Sequence, residues 1–432
     1  MKNLKSFAKS TFWTLFYQGV SLLFNFLLNV VLARTLGPAG KGLFSVYILT
    51  PSLLSMLLSL SIDESNVYYA GKGYRVKDIF LISIFHTVIV SFILILSFLL
   101  FPHLYSSLFK NLDHSVLFYA VLITPLFLLF RYIRSIFLGI GHVKMYNFLD
   151  SMRVGILFLG VTLLLLSNPD IRSAEKAVNL HIVIAVLISF VLLFNQLHLG
   201  KTESNIINLF KKELRYGLRA YLGITMSFFN RRLDVFILNY FRNPQEVGIY
   251  SISTALAELI WKLPNSVAIP LFPKVAKEDK RETTPFTTFI TRVIFFLLII
   301  LGVFMVLAGK FVIVLLFGHR FSASYTPLLW LLPGIVFLGV GRVLSAYFHG
   351  INKPEYGSFF TIISVIFTIV FDLILIPTMG AIGAAIASSI AYTIAGILAI
   401  FLYCKETGTS PLLLFTPPIK EISRILQMKK GR

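Results

Sequence analysis

Cysteine is almost missing. Cys404 is the one cysteine in 432 residues, which excludes an internal disulfide and any cysteine-built metal cluster. Charge is scarce too: Asp, Glu, Lys and Arg make up 13% of the chain, where soluble domains carry about 25%. So little ionic surface cannot clothe a water-soluble fold of this length. Acidic residues are the scarcer kind, 19 against 39 Lys and Arg, leaving a formal net charge of +20. Long polar stretches are missing as well, because no loop between apolar runs exceeds roughly 20 residues. An extramembrane catalytic domain therefore has no room, and an enzyme is not expected. No cleavable leader is read at the start: Lys2, Lys5 and Lys9 precede an apolar run long enough to be a first span.

What is present is hydrophobic. Apolar residues reach 57%, with 42 phenylalanines. A helix needs about 20 apolar residues to cross the hydrocarbon, and the runs predict twelve spans. They lie at 11–33, 42–62, 79–101, 116–138, 146–167, 177–198, 217–240, 246–271, 288–317, 323–348, 356–377 and 381–403. Open sheet edges cannot sit in lipid, and barrel-like alternation is absent, so the fold class is an all-α membrane protein of about 12 transmembrane helices. Lys and Arg in alternate loops favour one side by about three to one. The bias predicts both termini in the cytoplasm of an inner, cytoplasmic cell membrane. The surplus positive charge is read as topology-setting and lipid-facing, with membrane lipids rather than nucleic acid as partners.

Two motifs recur. Pro38-x3-Gly42-x-Phe44-Ser45 returns as Pro244-x3-Gly248-x-Tyr250-Ser251, and Phe137-x-Gly139-Ile140 as Phe348-x-Gly350-Ile351. The offsets are nearly equal and the topological positions equivalent, which predicts a duplication. The organisation is then a six-span lobe over 1–200, a linker over 201–216, a second six-span lobe over 217–403 and a basic tail over 404–432. An even number of spans per lobe gives parallel repeats. In the tail, Ile419, Ile422, Ile425 and Leu426 fall near helical spacing, as in a surface-lying helix.

Charges inside the spans carry the functional reading, because a mid-bilayer charge costs about 2.5–3.5 kcal/mol on insertion scales and normally faces a cavity. Arg231 and Arg232 lie about 14 Å from the outer end of their span. Asp234 follows in the same span, and Glu258 and Lys262 occupy the next. Arg131, Arg134 and Arg342 are further cations, and Asp150 and Arg153 lie near an inner end. The spacing predicts local pairs Glu258–Lys262, Arg231–Asp234 and Asp150–Arg153. Arg131 and Arg134 have no carboxylate on their own helix. A surplus of guanidinium suits a phosphate or carboxylate, because the planar fork binds oxyanions bidentately. Arg134 and Arg342 also fit snorkelling. Asn29 is a candidate for helix–helix bonding or, with Arg34, for substrate contact. Asp234 and Glu258 are candidates for ion coupling.

The segment Asn29-x2-Leu32-Ala33-Arg34-x-Leu36-Gly37-Pro38-x-Gly40-x-Gly42-x-Phe44 resembles the first-span signature of polysaccharide-exporting flippases. So do Glu246-Val-Gly248-Ile-Tyr250-Ser251, Leu316-Phe317-Gly318 leading to Pro333-Gly334, Gly350-Ile-Asn352-Lys353-Pro354, and Ile376-Pro377-x2-Gly380-Ala-Ile-Gly383-Ala-Ala. The order of these motifs, over nearly the whole chain, is similar to the oligosaccharide flippase (Wzx-type) branch of the multidrug/oligosaccharidyl-lipid/polysaccharide exporter superfamily. The resemblance implies a V-shaped, MATE-like transporter with a cationic cavity. It implies a polyprenyl-pyrophosphate-linked oligosaccharide as substrate, flipped from the inner to the outer leaflet by alternating access. It further implies no cofactor, coupling to protons or sodium in some members, and polymerase machinery as a partner. The alternative is a cation-coupled multidrug extruder of the same fold, against which the dominance of Arg over acidic groups argues. A membrane glycosyltransferase would need an outer loop with catalytic carboxylates, and none is present.

Overall fold

The computed structural model describes residues 2–201, 205–277 and 279–419. The chain runs α1 (Lys2–Leu58), α2 (Ile62–Gly71), α3 (Val76–Leu100), α4 (Pro102–Leu108), α5 (His114–Gly139), α6 (Val143–Ser167) and α7 (Ile171–Phe194). It continues with α8 (Ile206–Phe241), α9 (Pro244–Lys277), α10 (Lys280–Phe317), a 3-10 turn (His319–Ser324), α11 (Tyr325–Gly350), α12 (Pro354–Met379), α13 (Ala381–Thr407) and α14 (Pro411–Leu414). Among the described residues there is no strand, as expected where lipid offers the backbone no hydrogen bonds.

Nine of the helices among the described residues are long and apolar enough to cross a membrane. There α1 counts once, although it holds two of the expected spans. The outer turn expected between those spans is reduced to a break at Gly37, whose φ of 68° and ψ of −175° interrupt the helix. That φ suits glycine, and Pro38 next to it has no N–H to continue the ladder. Helices α8 and α9, with 36 and 34 residues, have the length but carry the intramembrane arginines and carboxylates. With α1 split at Gly37, twelve long helical segments among the described residues overlie the twelve predicted spans. Large apolar side chains project outward along α3 and α10, Phe92 at 68% and Leu307 at 81% exposure. Such surface is stable only where lipid is the solvent.

The chain divides into two compact units: Met1–Thr225 with Asn243–Gly248, and Met226–Arg242 with Ile249–Arg432. In the first, α5 is the hub, packed against α1, α2, α3, α6 and α7. In the second, α13 lies against both α11 and α12, and α10 runs along α11. Of the expected linker 201–216, Lys201 and residues 205–216 belong to the first unit. Its start is pinned there by backbone bonds from Arg75 N to Lys201 O (2.9 Å), Lys201 N to Gly73 O (2.8 Å) and Val76 N to Leu199 O (2.9 Å). The tail positions Ile422, Ile425 and Leu426 lie outside the described residues, and Ile419 is exposed.

Packing explains the recurring motifs. In the first unit, a Cβ on Gly139 would come within 2.6 Å of Ala70 Cβ and 2.8 Å of Val67 O. In the second, a Cβ on Gly350 would come within 2.6 Å of Val275 Cβ and 3.2 Å of Phe272 O. Each glycine therefore lets the end of one helix meet the same kind of neighbour in its own unit. Gly350→Leu is expected to cost about 1–3 kcal/mol through overpacking, read as a lowered Tm in detergent. The first motif behaves likewise. A Cβ on Gly42 would stand 1.8 Å from Pro244 O, and one on Gly248 would stand 1.9 Å from Pro38 O. The two copies of Pro-x3-Gly meet each other reciprocally.

Candidate functional site

In the second unit, α8 is helical through Asn230-Arg231-Arg232-Leu233-Asp234. Neighbouring positions on a helix point about 100° apart, so one short stretch serves two environments. Arg231 is exposed while Asp234 is buried. The predicted Arg231–Asp234 pair does not form. Arg231 Nη1 instead donates to Ser227 Oγ one turn back, at 2.7 Å. Arg232 Nη1 makes an ion pair with Glu258 Oε1 at 3.0 Å, so Glu258 is held by a guanidinium from α8. Lys262 is exposed one turn further along α9. From α11, Arg342 Nε donates to Asn265 Oδ1 at 2.6 Å. Arg231 lies within electrostatic reach of Arg232, Glu258 and Arg342. Three guanidiniums thus gather near one carboxylate, Glu258, and neither Arg231 nor Arg342 makes an ion pair among the described residues. Exposed, incompletely neutralised guanidiniums of this kind can receive an oxyanion bidentately.

Behind this cluster is an acidic, buried layer. Tyr250 Oη donates to one carboxylate oxygen of Asp234 at 2.5 Å. The other oxygen accepts from Val235 N at 2.8 Å. Ser388 Oγ stands 3.5 Å from the oxygen that Tyr250 holds. Asp372 on α12 is fully buried, neither of its oxygens has a hydrogen-bond partner, and it lies within electrostatic reach of Asp234. The sequence reading missed Asp372, although it is the one charged residue in the run 356–377. A lone ionisable group inside a span is a functional candidate by default.

In the first unit Arg131 and Arg134 are neutralised. Arg131 Nη2 pairs with Asp63 at 2.6 Å. Arg134 pairs with Asp150 at 2.6 Å, donates through Nη2 to Tyr146 Oη at 2.5 Å, and stacks on the Tyr146 ring at 4.2 Å. The predicted Asp150–Arg153 pair is present at 3.7 Å. Both carboxylates come from other helices, which a reading along one helix could not supply. Arg131 and Arg134 are therefore tied into the packing of the first unit. Asn29 Nδ2 donates to Asn25 O on its own helix at 2.8 Å, so it does not bridge helices through that amide. Arg34 is exposed on α1 just before the Gly37 break.

The profile of a protein family described as "Polysaccharide biosynthesis protein" matches residues 7–278. A protein of Haloferax volcanii described as "Probable low-salt glycan biosynthesis flippase Agl15" is 24% identical over 188 residues, 43% of this chain and 39% of that protein. The chain thus spans about two fifths of that relative's length. Among solved structures, "Lipid II flippase MurJ, inward closed conformation" superposes with a TM-score of 0.76 at 19% identity, covering 94% of this chain and 89% of that one. An inward-facing multidrug resistance MATE family transporter superposes with a TM-score of 0.64 at 16% identity, covering 90% and 94%. At such identities the likeness is one of fold.

Proposed function

The chain belongs to the polysaccharide biosynthesis protein family, and from that premise we propose that it is a flippase for a lipid-linked oligosaccharide. The observation that carries the reading is the surplus of guanidinium at Arg231, Arg232 and Arg342 around Glu258. A polyprenyl-linked saccharide presents a pyrophosphate at the junction between lipid and sugar, and that dianion is the part most costly to bring through hydrocarbon. Arg231 and Arg342, without carboxylate partners, would receive it. Arg232 would hold Glu258 in place and share its charge with the ligand. Lys262, Asn29 and Arg34 are secondary candidates for contact with the headgroup. Movement from inner to outer leaflet would proceed by alternating access, with both termini cytoplasmic.

Asp234 and Asp372 supply the other half of the reading. A proton or sodium ion bound between two buried carboxylates removes the cost of holding them there. Tyr250 and Ser388 add hydroxyl oxygens of the kind that a hard cation accepts. Binding and release of that cation would drive the cycle.

Reconstituted protein tests the proposal with a fluorescent polyprenyl-pyrophosphate saccharide in vesicles. Arg231→Ala and Arg342→Ala are each expected to lower the flipping rate about tenfold or more, the worth of one charge-assisted hydrogen bond. Insertion and Tm should remain near wild type. Full flipping in both variants would overturn the anion site. The same fold also hosts cation-coupled extruders, and the buried acidic pair suits that reading. Drug resistance conferred on a sensitive host, with no saccharide flipping in vesicles, would favour it.

A further inference from the structure

The first turns of α8 hold a carboxyl that the transport reading does not use. Leu209, Glu213 and Gly217 follow one another at four-residue spacing and are all buried, and Tyr221 continues the stripe. This stripe lies against the turn between α1 and α2. A Cβ on Gly217 would come within 2.4 Å of Leu60 O, and Tyr221 Oη donates to Leu57 O at 2.8 Å. Beside the stripe, Tyr216 stacks on Tyr68 with ring centroids 4.5 Å apart. Every position in the stripe except one is apolar, small or hydrogen-bonded. Glu213 is fully buried, and neither of its oxygens has a hydrogen-bond partner.

Among the described residues, Tyr69 on α2 and Tyr132 on α5 lie within electrostatic reach of Glu213. Neither provides a cation. Tyr132 Oη is committed to Ser59 O at 3.2 Å and to His86 Nδ1 at 2.9 Å. Arg131, beyond Tyr132, is paired with Asp63. On its own helix, Lys211 and Arg215 are exposed, and Lys212 lies over the Tyr74 ring at 5.8 Å. An ionised carboxylate shut away from water with no donor is strongly disfavoured, so the group stays neutral or leaves. Burial pushes the Glu213 carboxyl well above the usual carboxylate range.

We propose that Glu213 is a proton-binding site that controls the seating of helix 206–217 on the first unit: with the proton bound the helix is seated, and with the carboxylate ionised it is released. The sign follows from linkage. The seated form binds the proton more tightly than the released form, so seating is strongest at low pH. It weakens as pH rises from the ordinary glutamate range towards the raised value of the seated carboxyl. Residues 206–217 form the first turns of α8 (Ile206–Phe241). Their seating does not depend on what the protein transports, and it is measured without substrate.

Amide hydrogen exchange of the full chain in lipid nanodiscs, corrected for the intrinsic pH dependence of exchange, is the test. In the wild type, protection of 206–217 is expected to fall at least about tenfold between pH 5.5 and 8.5, the effect of one unit of altered proton affinity. In Glu213→Gln, which keeps the shape but cannot ionise, protection should stay high and flat. The infrared band of a protonated carboxyl should weaken in the same variant at neutral pH. Should Glu213→Gln fail to insert, Glu213→Met carries the same comparison. Parallel pH profiles for wild type and variant, or a flat wild-type profile, would overturn the proposal.

Discussion

Gly42→Ala and Gly248→Ala are each expected to remove most of the folded protein from detergent extracts. The added Cβ would stand 1.8 Å from Pro244 O in one case and 1.9 Å from Pro38 O in the other. Those obstacles are backbone atoms, and no side-chain rotation relieves them. The turns would have to part by more than an ångström. We expect a cost of about 4 kcal/mol or more, at the far end of what single substitutions do. Gly223→Ala is the control. Nothing lies within 4 Å of the Cβ it would carry, and alanine gains up to about 1 kcal/mol over glycine inside a helix. Fluorescence-detected size exclusion and thermal unfolding separate the cases. A normal elution profile and Tm for both of the first two variants would show that the turns do not meet as described.

Asp372→Leu is expected to raise stability and to stop transport. The carboxyl is fully buried without a hydrogen-bond partner. An unsatisfied buried polar group costs about 1–3 kcal/mol, and replacing it with an apolar side chain of similar volume returns that cost. The corresponding rise in Tm is about 2 °C or more. If the Asp234–Asp372 pair binds the coupling cation, flipping should fall about 100-fold in the same variant, because the site loses half its charge. Asp372→Asn should lose transport likewise, with a smaller gain in stability, since the amide still lacks partners. Rising Tm with unchanged flipping would leave Asp372 as a fault in packing with no part in transport. Falling Tm would mean that the carboxyl has a partner in the working protein.

Much of the architecture was legible from single-residue chemistry. A helix long enough to cross hydrocarbon is written as a run of apolar residues, and all twelve predicted spans overlie long helical segments. The Gly37 break, read as an outer turn, was placed within a few residues because glycine followed by proline interrupts a helix by itself. The repeated motifs were visible because the same steric need selects glycine twice. Side-chain partners were less legible. Arg131 and Arg134 looked uncompensated because their carboxylates, Asp63 and Asp150, sit on other helices. Asp372 escaped notice because a single aspartate hardly alters the hydropathy of its run.

The amino-acid sequence alone determined that this chain belongs in lipid, that it is helical, and roughly where each long helix runs. Those properties follow from local terms: apolar area, backbone hydrogen bonding and the conformational habits of glycine and proline. Only the tertiary structure decided which arginines are neutralised, that Asp372 stands near Asp234, and that Glu213 is shut away from water. Each of those depends on what another helix presents at that depth, and electrostatic energy in a dry interior turns on a few ångströms that linear order does not encode.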